Sequence, residues 1–267
     1  LDKADLYNQM ADRKFKPKDL EPYAGDNGRV NKAFALYKSG KLKSGGTHVD
    51  VGGGIGDLGF ALRQERLFEK TLTVDISAKN LQAASKKGNF VMLADVDKSG
   101  FSSNVSDPDN FGGPPEWTND SFGMNSNNRI DAISALDFIE HIIDPGSFAY
   151  HCAYMLKSGG EVFINTPNIQ YWRHIEKLIF DGRFPHTSGD REVYHGGHLA
   201  FFTYLDLCEI FGNAGFEKFE QIKDVEGYCN PSSLFIGNIL KPQNQQQYTE
   251  MCMRMGNPNL LFKATKP

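Results

Sequence analysis

Apolar positions along the chain fall into two alternating periodicities. Between Arg29 and Lys41, Val30, Ala33, Phe34 and Tyr37 recur at helical spacing and predict an amphipathic helix. Gly45-Gly46 then breaks the chain before Thr-His-Val-Asp-Val-Gly, a short β-rich run ending in glycines, as a buried strand feeding a tight turn does. Leu58 to Phe68 reads as a helix, Leu72 to Ser77 as a strand, Leu81 to Lys87 as a helix and Phe90 to Asp95 as a strand. Further strands are predicted at Ile130 to Ala135 and Glu161 to Asn165. Strands that alternate with helices imply an α/β fold with a parallel sheet covered on both faces. Two late runs, Lys218 to Lys223 and Ser233 to Ile239, leave no room for a helix between them and predict an antiparallel hairpin at one sheet edge.

Two segments interrupt the alternation. The stretch 98–129 is rich in Gly, Pro, Asn, Asp and Ser and too broken for a long helix. The stretch 167–200 holds a predicted helix, Ile169 to Phe180, and then a His- and aromatic-rich run. These divide one expected domain into a helical flank or lid over 1–44, a core over 45–240 carrying both insertions, and a tail over 241–267.

Composition narrows the function classes. Hydrophobic residues make up 40% and charged residues 23%, the balance of an ordinary globular protein. The net charge of −4, with Lys and Arg scattered, lacks the footprint of a phosphate-backbone binder, so no nucleic-acid partner is expected. No apolar run reaches the roughly 20 residues that span a bilayer, and Leu1 to Lys16 has no apolar signal core. No membrane insertion is expected, and a cytoplasmic location is. Cys152, Cys208, Cys229 and Cys252 are widely spaced and read as buried thiols, with neither zinc knuckle nor disulfide framework.

The chemistry concentrates after the first strand. In Val49-Asp-Val-Gly-Gly-Gly-Ile-Gly-Asp-Leu-Gly59, Gly54, Gly56 and Gly59 fit the dinucleotide fingerprint. Asp50, Gly52, Gly54 and Gly56 equally fit the Asp-x-Gly-x-Gly-x-Gly loop of S-adenosylmethionine binders. Alone, the loop suits either. A carboxylate at the end of a buried strand needs a partner; for Asp50 an α-ammonium group serves, and a pyrophosphate would be repelled. Asp75, ending the second strand, is placed to accept from both hydroxyls of an adenosine ribose, as NAD and S-adenosylmethionine both require. Ile76 offers the adenine an apolar face. Asp95, closing the third strand, is placed to accept from the adenine amino group, which separates the two cofactors.

With these residues in order, the chain resembles a class I S-adenosylmethionine-dependent methyltransferase. It is most similar to the branch of ubiquinone-biosynthesis-type O-methyltransferases and glycan and natural-product methyltransferases. The resemblance runs from Gly45 to about Leu240: Asp131 to Pro145 looks like the family's fourth strand with its Leu-Glu-His-like turn. Met155 to Asn168 looks like its Leu-Lys-Pro-Gly-Gly turn and fifth strand, and His198 to Phe216 like its Phe-Phe-Thr, helix, Ala-Gly-Phe run. The resemblance implies a Rossmann-like, doubly wound sheet of seven strands with an antiparallel last strand. It implies S-adenosyl-L-methionine as cofactor and S-adenosyl-L-homocysteine as product. Val96 and Leu136 complete the expected cofactor set with Asp50, Gly52, Gly54, Gly56, Asp75, Ile76 and Asp95.

Methyl transfer to a hydroxyl is helped by a general base, and histidine suits that role. The candidates are His198, His141 and His195, with Tyr171, Trp172, Phe184, Tyr194, Phe201 and Phe202 as candidate lining of an acceptor pocket. No metal is expected, because His186, Asp190, Glu192, His195 and His198 match no standard zinc spacing. The reading is a methyltransferase acting on a hydroxyl or amine of a small molecule, with a sugar or lipid-precursor-like acceptor favoured. Its rivals are a nicotinamide-dependent oxidoreductase and a non-catalytic cofactor-binding protein of the same fold. The assembly is expected to be a monomer or homodimer.

Overall fold

The described strands form one seven-stranded sheet. The computed structural model describes residues 4, 5, 8, 28–99, 130–184, 197–224, 228, 229, 231 and 241–267. In chain order the elements are α1 Gly28–Lys38, β1 Thr47–Val51, α2 Asp57–Gln64, β2 Lys70–Asp75, α3 Ala78–Lys86, β3 Phe90–Leu93 and a single turn, α4 Val96–Ser99. There follow β4 Ile130–Leu136, a 3-10 turn Ile139–His141, α5 Pro145–Met155, β5 Leu156–Pro167, α6 Trp172–Phe180, α7 Tyr204–Asn213, β6 Lys218–Gln221, α8 Gln245–Met255 and β7 Asn259–Thr265. The sheet order is β3-β2-β1-β4-β5-β7-β6. The first five strands pair parallel, and β7 runs antiparallel to both β5 and β6.

Alternation along the strands sorts the core into two layers. Val49, Val51, Ile133, Ala135, Val162, Ile164, Leu260 and Phe262 pack on one face with Phe148, Ala149, Cys152 and Met155 of α5 and Leu207 and Phe211 of α7. Ala132, Phe163 and Leu261 pack on the other with Ala33 and Tyr37 of α1 and Leu58 and Leu62 of α2. That second face also carries a buried polar chain: Tyr37 Oη and Ser134 Oγ lie 2.8 Å apart, and His48 Nε2 and Ser134 Oγ 2.9 Å. All four cysteines are free thiols. No described helix is long and apolar enough to cross a membrane.

Several boundaries move for local reasons. The helix expected to run to Phe68 ends at Gln64, because Arg66 turns the chain with φ 56°. The helix expected from Leu81 starts at Ala78, where the Ser77 hydroxyl caps it by accepting from the Asn80 amide at 3.3 Å. The helix expected from Ile169 starts at Trp172. The hairpin expectation is corrected: Ser233 to Ile239 lies outside the described residues, and the strand bonded to 218–221 is β7, from the expected tail. Its Leu260, Leu261, Phe262 and Ala264 are buried, so the sheet extends to Thr265 and does not stop near 240. The insertion is described only as far as residue 99.

Candidate active site

Because β3, β2, β1 and β4 are neighbours and parallel, their C-terminal ends form one row at one edge of the sheet. This is the crevice where open α/β sheets bind ligands. The row holds Gly52 to Gly56 after β1, Asp75 and Ile76 at the end of β2, Asp95 and Val96 after β3, and Leu136 at the end of β4. Apart from Asp50, which lies within β1, the expected cofactor residues therefore fall at or just past the ends of neighbouring strands.

The glycine loop turns β1 into α2. The Gly52 amide donates to the Val74 carbonyl at 2.8 Å and anchors the loop to β2. Gly54 has φ 56°, and a Cβ built there would meet nothing within 4 Å: its backbone faces open space. Gly56 has φ 74°, and a Cβ there would stand 2.1 Å from Asn89 Nδ2 and 2.8 Å from Ala84 Cβ. Two glycines thus serve different ends, Gly54 by baring backbone toward the crevice and Gly56 by close packing on α3 and the residues after it.

Asp75 is the hub of the row. Its Oδ2 accepts from the Gly54 amide at 2.9 Å, and its Oδ1 accepts from the Ser77 amide at 2.7 Å and from Asn80 Nδ2 at 3.3 Å. Burial raises its pKa, against the lowering effect of these donors. The Ile76 amide also bears on the carboxylate. Asp50 lies beneath the loop, 2% exposed, and its Oδ1 has no hydrogen-bond partner. Burial, then Asp75 and Asp57, push its pKa up to about 8. An orphaned acid in that state fits a cationic group brought close to the loop. Ile76, Asp95, Val96 and Leu136 are half-buried, and the Asp97 carboxylate accepts from the Ile143 amide at 2.8 Å, tying α4 to the segment after β4. Asn80 and Asn8, whose Oδ1 accepts from Ser77 Oγ at 2.9 Å, join this site without a sequence signal beyond polarity.

Beyond Leu136 the chain forms the second half of the site. Asp137 has φ 48°, an unusual conformation for a residue with a side chain, and is paired with Arg29 of α1. His141 sits on the 3-10 turn rather than on a helix; Pro145 delays helix α5. Glu140, in the same turn, is 1% exposed. Its Oε2 accepts from Thr166 Oγ1 at 2.8 Å, and its Oε1 has no hydrogen bond and lies 3.9 Å from His198 Nε2. Burial and then Asp137 raise its pKa to about 8. The His141 and His198 rings meet edge to face, 4.8 Å between centroids. Side-chain atoms of Glu140, His141 and His198 all come within 4.8 Å of one another. Glu140 was visible in the sequence only as part of the Leu-Glu-His-like turn; nothing in its spacing marked it as the partner of His198.

The structure separates the remaining candidates. His195, His186, Asp190, Glu192 and Tyr194 lie outside the described residues. Tyr171 and Trp172 pack with Met251, Cys252 and Met255 of α8. Phe202 belongs to the main core. Phe201 stays near the histidines, 6.3 Å from His198, and pairs with Phe184 at 4.8 Å. Thr203 and Asp206 form the capping box of α7.

A family model described as "Methyltransferase domain" matches residues 23–221. A ubiquinone biosynthesis O-methyltransferase from Azotobacter vinelandii is 27% identical over 112 residues, 42% of this chain and 39% of that protein. Its counterpart from Serratia proteamaculans is 35% identical over 69 residues, 22% of this chain and 29% of that protein. The matches thus span well under half of these relatives. Among solved structures, a SAM-dependent methyltransferase of Thermotoga maritima, a possible histamine N-methyltransferase, has TM-score 0.55 at 14% identity, covering 99% of both chains. A Haemonchus contortus phosphoethanolamine N-methyltransferase 2 in complex with S-adenosyl-L-methionine has TM-score 0.56 at 18% identity, covering 98% of this chain and 60% of that one. These share the fold. The family's methyl donor is S-adenosylmethionine, and the open backbone at Gly54, the hydrogen-bonding hub at Asp75 and the orphaned acid at Asp50 fit it. By its matching model and its sheet order, this chain belongs to the methyltransferase-domain family.

Proposed function

We propose that this protein transfers the methyl group of S-adenosylmethionine to a hydroxyl or amine of a small molecule. The observation that carries the reading is the row of acids and bared backbone at the ends of β1 to β4, continued by a histidine pair past β4. In this reading Asp75 accepts from the ribose hydroxyls, Ile76 and Val96 flank the adenine, Asp95 takes its amino group, and Gly52 to Gly56 run along the methionine portion. The Asp50 carboxylate faces the ammonium end. When bound, the cofactor supplies a methyl on a sulfonium, an already activated leaving group, so the protein's work is alignment and exclusion of water.

His198 is the proposed base, with His141 against its ring. It takes the proton of the acceptor hydroxyl as that oxygen attacks. The likeness to ubiquinone-biosynthesis O-methyltransferases supports a hydroxyl first, on a sugar or lipid-precursor-like acceptor. The test is calorimetry with S-adenosylhomocysteine and with NAD, followed by incubation with labelled donor and a panel of phenols, glycosides and primary amines. S-adenosylhomocysteine binding and a labelled product that disappears in His198→Ala are expected. NAD binding alone would overturn the reading; product formation undiminished in His198→Ala would overturn the assignment of the base.

A further inference from the structure

Glu140 is buried, ionisable and has no part in the cofactor row. Such a group is costly unless its surroundings use it. One oxygen is fixed by the Thr166 hydroxyl on β5, which sets the plane of the carboxyl group. The other, Oε1, is hydrogen-bonded to nothing and faces His198 Nε2 at 3.9 Å. The backbone reinforces this aim: the Leu199 and Ala200 amides both donate to the Glu140 carbonyl, at 2.8 and 3.2 Å. The loop that carries His198 is therefore tied to the residue its ring faces. The His141 ring meets the His198 ring edge to face at 4.8 Å, and the Phe201 ring lies 6.3 Å from it.

We propose that Glu140 is a positioning residue that pairs with His198 through Oε1 and Nε2, fixing the imidazole tautomer and offsetting the charge His198 gains with the acceptor's proton. This rests on the reading of His198 as the base. A small closure of the 3.9 Å gap makes the hydrogen bond, as commonly happens when an active site fills. With Nε2–H donating to Glu140, the basic lone pair is on Nδ1. The proton leaves the acceptor oxygen for Nδ1, and the resulting imidazolium stands against the carboxylate, so charge is balanced within the pair. Other groups that bear on it are Asp137, which favours protonation of Glu140, Arg29, which opposes it, and the His141 ring. Burial favours the neutral acid at Glu140, and the imidazolium that forms at His198 draws it to the carboxylate, so the two partners titrate as a unit.

The test does not depend on knowing the acceptor. Long-range 1H–15N spectra of the 15N-labelled protein saturated with S-adenosylhomocysteine follow both ring nitrogens of His198, assigned by the signals missing from His198→Gln. Neutral His198 should carry its proton on Nε2, and its titration midpoint should fall by about one pH unit or more in Glu140→Gln. Thr166→Val, which removes only the donor to Glu140, should lower the midpoint in the same direction by less, and it decides the matter if Glu140→Gln does not bind S-adenosylhomocysteine. An unchanged midpoint in the variant that folds overturns the pairing. So does selective broadening of the His141 and His198 signals by substoichiometric Mn2+ that Glu140→Gln abolishes, because the three side chains would then grip an ion. Failure of the base assignment is seen separately, as methylation that survives His198→Ala.

Discussion

At Asp75 the Gly54 and Ser77 amides and Asn80 Nδ2 converge on one carboxylate. The residue therefore organises the glycine loop, and the ribose of the cofactor is its proposed further partner. Asp75→Ala should weaken S-adenosylhomocysteine more than tenfold, at least about 1.4 kcal/mol, measured by calorimetry. An unchanged affinity would remove the ribose assignment. His48 is fully buried. Burial lowers its pKa to about 3, so it stays neutral in the folded chain while the unfolded chain takes up a proton near pH 6.5. A depressed histidine stabilises fully above its unfolded value and loses that contribution as pH falls below it. Between about pH 7 and pH 5, wild type should lose up to about 2 kcal/mol more than His48→Gln, read from urea unfolding. Parallel pH profiles for the two proteins would show that the buried ring is protonated after all.

Among the elements, the strands and helices of the first half were legible because their signals are local. The run Thr47 to Val51 ends in glycines, and Leu72 to Asp75 and Phe90 to Leu93 follow amphipathic stretches, so strand ends and the acids on them could be placed together. The β7 strand was not legible. Its hydrophobic run lies at the far end of the chain, and its partners are β5 and β6, a pairing no neighbouring turn announces. Glu140 was missed for the same physical reason: its role depends on Thr166 and His198, brought to it by β5 and by the loop before α7. The burial of Phe262, fully enclosed and in ring contact with Tyr204, Phe211 and Phe219, makes β7 a keystone between α7 and the sheet. Phe262→Ala should cost about 3 to 5 kcal/mol in chemical denaturation. A loss under about 1 kcal/mol would mean that the strand is peripheral.

For the whole molecule, the crevice joins cofactor binding to pH. The ends of the central strands hold acids whose pKa values are raised, Asp50 to about 8 and Asp75 in the same direction. A raised acid stabilises fully below its unfolded value near 4, and the contribution is lost as pH climbs through the folded value. For Asp50 alone the loss between about pH 6 and pH 8 is on the order of 2 kcal/mol. An ammonium group beside Asp50 favours the carboxylate, lowers that folded value and returns part of the loss. The ligand-free protein should therefore lose stability over this interval more steeply than the protein saturated with S-adenosylhomocysteine, and Asp50→Asn should narrow the difference. Binding at pH 7 should also release a proton, visible as an enthalpy that varies with the ionisation heat of the buffer, and Asp50→Asn should remove that dependence. If the free Asp50→Asn protein retains the wild-type slope and the same buffer-dependent enthalpy, Asp50 is not the linked group, and the orphaned oxygen beneath the glycine loop does not serve the cofactor's cationic end.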